Sequence, residues 1–168
     1  AMQLIRVGAA VLNQTPLDWD GNQARILAAI NAARAESVSI LCLPELCITG
    51  YGCEDAFQSP AVQQQAIRVL LDVVKQTPPD IVVSLGLPVL FNGALFNAAC
   101  LGASGEILGF VCKQHLAGDG IHYEPRWFKS WPEGTRTAIL VNDPIPTYVD
   151  DEGNPSYMTK WSHIGDIV

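Results

Sequence analysis

Short apolar runs alternate with helix-like stretches over residues 4–75, and that alternation restricts the chain to folds in which helices link successive strands. Leu4 to Leu12 is a β-rich run that stops at the polar turn Asn13-Gln14-Thr15-Pro16. From Asp20 to about Arg34, started near Asp18 or Asp20, the sequence is alanine-rich. Its apolar positions Leu27, Ile30 and Ala33, flanked by Ala24 and Ile26, fit an amphipathic helix. Ser39 to Leu43 has the length and apolarity of a core strand. A second helix is predicted over Pro60 to Lys75, with Val62, Ala66, Val69, Leu70 and Val73 on one face and Thr77-Pro78-Pro79 as its stop. The period then changes to strands over Ile81 to Pro88, Leu95 to Leu101 and Ile107 to Cys112. Asn92-Gly93 and Ser104-Gly105 between them mark hairpins. The expectation is an α/β (α+β) domain with mixed sheets and helices packed outside. Beyond Lys113 the sequence reads as loop, with few convincing strands in the last thirty residues; His163 to Val168 reads like a strand just starting.

With 168 residues, 49% of them hydrophobic, the chain is long enough for one domain around a substantial core. A net charge of −7 without a Lys/Arg cluster argues against nucleic acid as a partner. No apolar stretch approaches the roughly 20 residues that span a bilayer, and the N-terminus lacks signal-peptide character, so a cytoplasmic, non-membrane protein is expected. Ala1 before Met2 reads as the remnant of an added tag. The five cysteines, Cys42, Cys47, Cys53, Cys100 and Cys112, form an odd set without a secretory signal, which argues against a disulfide framework. Their spacings do not suggest zinc, so no metal is expected and buried thiols are the default.

Glu45 follows Pro44 directly, at the C-terminal end of the second apolar run, where open α/β folds place their chemistry. Among Leu43, Leu46 and Ile48, desolvation disfavours a bare carboxylate unless a cation meets it. Glu45 is therefore either a general base or a carboxylate spent on an arginine or a helix cap. Lys113 ends another apolar strand in the same manner. Beside a buried carboxylate it would steady an anion forming on a carbonyl oxygen; alone it would be a snorkelling surface lysine. The loop Gly118 to Phe128 mixes aromatics with charge. Within it Glu124 could hold a substrate ammonium or pair with Arg126 or Lys129, while His122 reads as structural or exposed.

The stretch LPELCITGYGCEDAF together with the strand-terminal Lys113 resembles the nitrilase, or carbon-nitrogen hydrolase, superfamily. KQHLAGDGIHYEPRWFKSW is similar to the amidase domain of glutamine-dependent NAD synthetases, and the resemblance covers most of Met2 to Trp131. It implies an αββα sandwich, incomplete at the C-terminus, with residues 1–168 as the N-terminal portion of one hydrolase domain. It also implies a glutamate, lysine and cysteine trio, with Glu45 as general base, Lys113 as the intermediate-stabilising lysine, and Tyr51 and Glu124 shaping a glutamine pocket. The implied reaction is thiolate attack on the side-chain amide of L-glutamine, with ammonia passed to a synthetase domain that makes NAD. That domain, which would use ATP and magnesium, is not expected within this chain: no Ser-Gly-Gly loop is present, and no cofactor is expected here. A homo-oligomer is implied as well.

One member of the trio is expected to be missing. The family's nucleophile lies on a later strand, in a pattern resembling Ile-Cys-Glu-Asp followed by an aromatic, and the chain is expected to stop short of it. An isolated chain would then be inactive. Cys53-Glu54-Asp55-Ala56-Phe57 mimics the pattern but follows a glycine loop, and Cys112 should face away from Lys113 by strand alternation. The alternatives left open are a stand-alone amidase or nitrilase, and a non-catalytic oligomerisation or binding module of the same fold.

Overall fold

The computed structural model describes residues 4–166, and the side chains of all of these except 144–148, 157 and 158. The expectation at Ala1 and Met2, and the last two residues of His163 to Val168, lie outside that range. Asp18 caps the first helix, α1 (Trp19–Ala35), by accepting the Gly21 N–H, as acidic residues do at the positive end of the helix dipole. The second, α2 (Pro60–Lys75), starts with proline at its first turn, where the missing N–H costs nothing. Both helices match the stretches expected from periodicity.

β1 (Val7–Ala9), β2 (Ile40–Cys42) and β3 (Val82–Phe91) pair in parallel, and β4 (Ala94–Ala103) and β5 (Glu106–Cys112) continue from β3 as antiparallel hairpins. At Asn92-Gly93 and at Ser104-Gly105 both turn residues have positive φ, the backbone twist that a two-residue hairpin requires. Pro88 is tolerated inside β3 because the ladder with β2 ends at Ser84, so no neighbouring strand asks for its missing N–H on that side. The expected Leu4–Leu12 strand is cut to three residues. Leu4 and Ile5 lie exposed ahead of the short edge pairing.

The C-terminal part corrects the sequence expectation. Instead of loop, Arg136–Val149 forms β6 and Pro155–Gly165 forms β7, a long antiparallel hairpin, and His163 to Gly165 closes a strand instead of opening one. Pro144 and Pro146 made the segment read as irregular. They are accommodated because β6 is an edge strand and its register with β7 shifts around Pro146. The turn between them is organised by Asp150, which accepts the N–H groups of Glu152 and Asn154.

The result is one mixed seven-stranded sheet in the order β1-β2-β3-β4-β5-β7-β6. Ile26, Ile30 and Ala33 of α1 and Ala66, Val69, Leu70, Val73 and Val74 of α2 share a single core with Leu41, Val83, Leu85, Leu87, Cys100, Phe110, Ile139 and Ile164. The helices therefore cover one face of the sheet. By alternation the opposite face carries Val7, Ile40, Leu140 and Trp161, all exposed, beside the half-buried Val82, Leu101 and Val111. Among the described residues no helix is long and apolar enough to cross a membrane.

Candidate functional site

Leu43 is the last residue to follow the course of β2, its N–H donated to Ser84 O, and Pro44 turns the chain across the sheet. The turn lies flat on β3 at Gly86. A Cβ there would stand 2.3 Å from Leu46 N and 2.9 Å from Pro44 O, so only glycine admits this approach. Ile48 N–H donates to Gly86 O, and Leu46 takes a positive φ of 51° to complete the turn. From behind, the Gln14 side-chain amide donates to Cys47 O and the buried Asn22 amide to Ile48 O and Thr15 O. Glu45 is thus fixed over the open face of the sheet by the backbone of β3 and by the side-chain amides of Gln14 and Asn22.

Lys113 follows β5 directly. Its N–H donates to Asn97 O at 2.8 Å, and its own carbonyl accepts the Trp131 N–H at 3.1 Å. The ammonium reaches Glu45 Oε1 at 2.7 Å and also meets both Glu124 oxygens at 3.0 Å. Glu124 opens a single helical turn, α3 (Glu124–Trp127), which folds back beneath the loop after Lys113. There its carboxylate accepts the Ala117 N–H at 2.7 Å and the Tyr51 hydroxyl at 2.8 Å. The Glu124 side chain is 1% exposed, against 30% for Lys113 and 41% for Glu45.

These contacts settle the charges. Burial disfavours the ammonium of Lys113, but Glu45 and Glu124 outweigh it and hold the group above its usual range. Burial likewise opposes the Glu124 carboxylate, yet the Ala117 N–H, Lys113 and Tyr51 together hold it below its usual range. Burial first, and then the hydrogen bond and charge of Glu124 and the charge of Glu45, push the Tyr51 phenol up and keep it a neutral donor. The cluster is one cation between two carboxylates, with the more exposed carboxylate facing outward.

A small apolar cluster supports this arrangement from the side: Leu46, Cys53, Phe57, Leu95 and Phe128 are buried together, with Tyr51, Leu116 and Trp127 against them. Asp55 pins α3 to the segment Glu54–Gln58 by accepting both guanidinium arms of Arg126 at 2.7 Å and the Trp127 indole N–H at 3.0 Å. Arg126 therefore pairs with Asp55, which leaves Glu124 to Lys113. His122 is exposed, its Nδ1 3.4 Å from the Tyr51 hydroxyl.

The geometry brings Glu45, Lys113, Tyr51 and Glu124 into one connected network. It also adds Asn97, whose buried side-chain amide donates to Glu45 Oε1 at 2.7 Å. Sequence reading passed over Asn97, although a lone amide inside the apolar run Leu95 to Leu101 was a signal that something polar had to meet it. The five thiols lie in other settings. Cys47 donates to Gly86 O and Cys53 to Thr49 O and Gly50 O, while Cys100 and Cys112 belong to the core beneath the helices. Cys42 donates to Leu43 O. Burial pushes the Cys47 and Cys112 thiols up to about 12 and raises Cys53 and Cys100 as well, the reverse of an activated nucleophile. Cys112 faces the core while Lys113 faces the site, as alternation requires. Among the described residues no His, Cys, Asp and Glu group is suited to hold a metal. The groove of about 600 Å³ between α2 and β6 contains none of the site residues.

The family profile described as carbon-nitrogen hydrolase matches residues 6–159. Among curated proteins, a putative glutamine-dependent NAD(+) synthetase of Schizosaccharomyces pombe is 32% identical over 98% of this chain and 23% of its own length. The glutamine-dependent NAD(+) synthetase of Oryza sativa subsp. indica is 35% identical over 89% of this chain and 20% of its own. The chain thus spans about a fifth to a quarter of these relatives. A crystal structure of a glutamine-dependent NAD(+) synthetase from Cytophaga hutchinsonii superposes with a TM-score of 0.81 at 43% identity, covering 97% of this chain and 25% of that one. An amidase from Nesterenkonia sp. shares the fold, with a TM-score of 0.65 at 22% identity over 80% of this chain and 51% of its own.

Proposed function

The chain belongs to the carbon-nitrogen hydrolase family, and from that premise we propose that it is the N-terminal portion of the glutamine-hydrolysing domain of a glutamine-dependent NAD synthetase. The observation that carries this reading is the Lys113 ammonium held between Glu45 at 2.7 Å and Glu124 at 3.0 Å. In an amide hydrolysis that uses a thiol, Glu45 takes the thiol proton as sulfur attacks the glutamine side-chain carbonyl. Lys113 stands beside the oxygen on which negative charge develops. As the tetrahedral adduct collapses, the carbon-nitrogen bond breaks and Glu45 returns the proton to the leaving ammonia. Water then attacks the thioester, giving a proton to Glu45, and collapse to glutamate returns that proton to the sulfur. Tyr51 lines the substrate pocket, and Glu124 acts through Lys113 and Tyr51.

The nucleophile in this proposal is a cysteine other than the five present, because those thiols are buried or bonded away from Glu45. The direction of β7 supports this. It runs parallel to β5 with Phe110 opposite Ile164 and Val111 opposite Gly165, so its C-terminal end points the same way as the end of β5 that Lys113 follows. Asp166 ties the same end to the site loop by accepting the Gly134 N–H and the Gln114 side-chain amide. The isolated 168-residue chain is accordingly inactive. The rest of the proposal rests on the resemblance to the glutamine-dependent NAD synthetases: ammonia is passed to a synthetase domain that uses ATP and magnesium, in a cytoplasmic homo-oligomer. The test is Glu45→Gln in the full-length protein. Glutamine-supported NAD formation should be abolished while ammonia-supported formation persists, and retained use of glutamine would contradict the assignment of Glu45.

A further inference from the structure

Two donors converge on a single oxygen of Glu45: Asn97 Nδ2 and Lys113 Nζ each stand 2.7 Å from Oε1. Among the described hydrogen bonds Oε2 accepts none, and the side chain is 41% exposed. We propose that Asn97 is a positioning residue that clamps Oε1, so that Oε2 is the oxygen that takes and returns the proton during amide hydrolysis. The inference rests on the reading of Glu45 as general base and deepens it by assigning the two carboxylate oxygens different tasks.

Asn97 is suited to the role by its place in the fold. It lies on β4 opposite Pro88, on the sheet face where Gly86 lets the Pro44–Leu46 turn come to rest. It is 4% exposed, so water does not compete for its amide. A carboxylate only accepts hydrogen bonds, so the amide must present its NH2 to Glu45; the reverse orientation would set two acceptors against each other. The same residue also sets Lys113, since Asn97 O accepts the Lys113 N–H at 2.8 Å. One buried residue therefore fixes the carboxylate through its side chain and the lysine through its backbone. With Oε1 engaged twice, rotation that would exchange the two oxygens breaks two charge-assisted hydrogen bonds, and the proton acceptor is held in a single place.

The test compares wild type with Asn97→Ala, Asn97→Asp and Glu45→Gln in the full-length protein. For each, kcat and KM are measured for release of ammonia from glutamine and, separately, for NAD formation supported by added ammonia. Asn97→Asp keeps the shape and the backbone bond to Lys113 but replaces the donor with an acceptor. For both Asn97 variants kcat with glutamine should fall roughly 10- to 100-fold with KM within about twofold, because the reacting groups are misplaced while the pocket remains. The ammonia-supported rate should be unchanged, which also shows that the variants are folded. Wild-type kcat with glutamine in either variant would overturn the inference while leaving Glu45 as base. Loss of both activities in both variants would reduce Asn97 to a structural residue and overturn it too. Glutamine turnover retained by Glu45→Gln would remove the reading beneath it.

Discussion

Lys113 sits between two carboxylates, and the opposite titrations of Lys113 and Glu124 bracket the pH range in which their pairing is intact. Glu124 is held below its usual value near 4.5, so its contribution to stability is fully present above that value and is lost as pH falls through the lower folded one. Lys113 is held above its usual 10.5, so its contribution is present below that value and disappears as pH rises through the higher one. Glu124→Gln should therefore flatten the acid-side loss in denaturant unfolding between about pH 7 and pH 3. At neutral pH it should cost about 1–3 kcal/mol, because Lys113 loses its buried partner but keeps Glu45 and some water. An unchanged acid slope would contradict the role given to Glu124. Asp55 remains in that variant and supplies part of the residual slope, held down to about 2 by Arg126 and Trp127. Glu45 and Lys113 were legible because each terminates an apolar run, where a charge needs a reason. The burial of Glu124 was not, since it depends on a loop folding back onto Ala117, and no local pattern encodes that.

At the scale of elements, the site depends on one close approach, the Pro44–Leu46 turn resting on Gly86. Gly86→Ala would set a methyl 2.3 Å from a backbone nitrogen that cannot move without carrying Glu45 with it. It should destabilise the protein by roughly 3 kcal/mol and impair glutamine turnover in the same variant. Thermal unfolding and the glutamine assay check this; a neutral substitution would mean that the turn is not seated as described. Gly93→Ala, in the left-handed half of the hairpin turn with φ 76° and no neighbour within reach, should cost only about 1 kcal/mol and leave catalysis alone. The two helices and the β3–β4–β5 meander were readable because period and turn chemistry agree there. β6 and β7 were not, because the prolines in β6 argue against a strand unless it is known to lie at an edge. Edge position is a property of the assembled sheet.

Across the whole molecule, α1 and α2 cover one face of the sheet while the other presents Val7, Ile40, Leu140 and Trp161 to solvent, the last at 72% exposure. A face of this kind is sticky in the isolated 168-residue chain. Concentration-dependent self-association is expected in sedimentation velocity, and Trp161→Lys should shift the distribution towards monomer; a concentration-independent monomer would count against an open apolar face. The central claim is that Glu45, Lys113 and Glu124 serve a thiol that none of the five cysteines provides. Its most direct test treats the full-length protein with a glutamine analogue carrying a diazo ketone in place of the amide, then maps the alkylated peptide by mass spectrometry. The account predicts a label on a cysteine other than Cys42, Cys47, Cys53, Cys100 and Cys112, strongly reduced in Glu45→Gln. A label on any of those five, Cys53 above all, or no label at all, would contradict it.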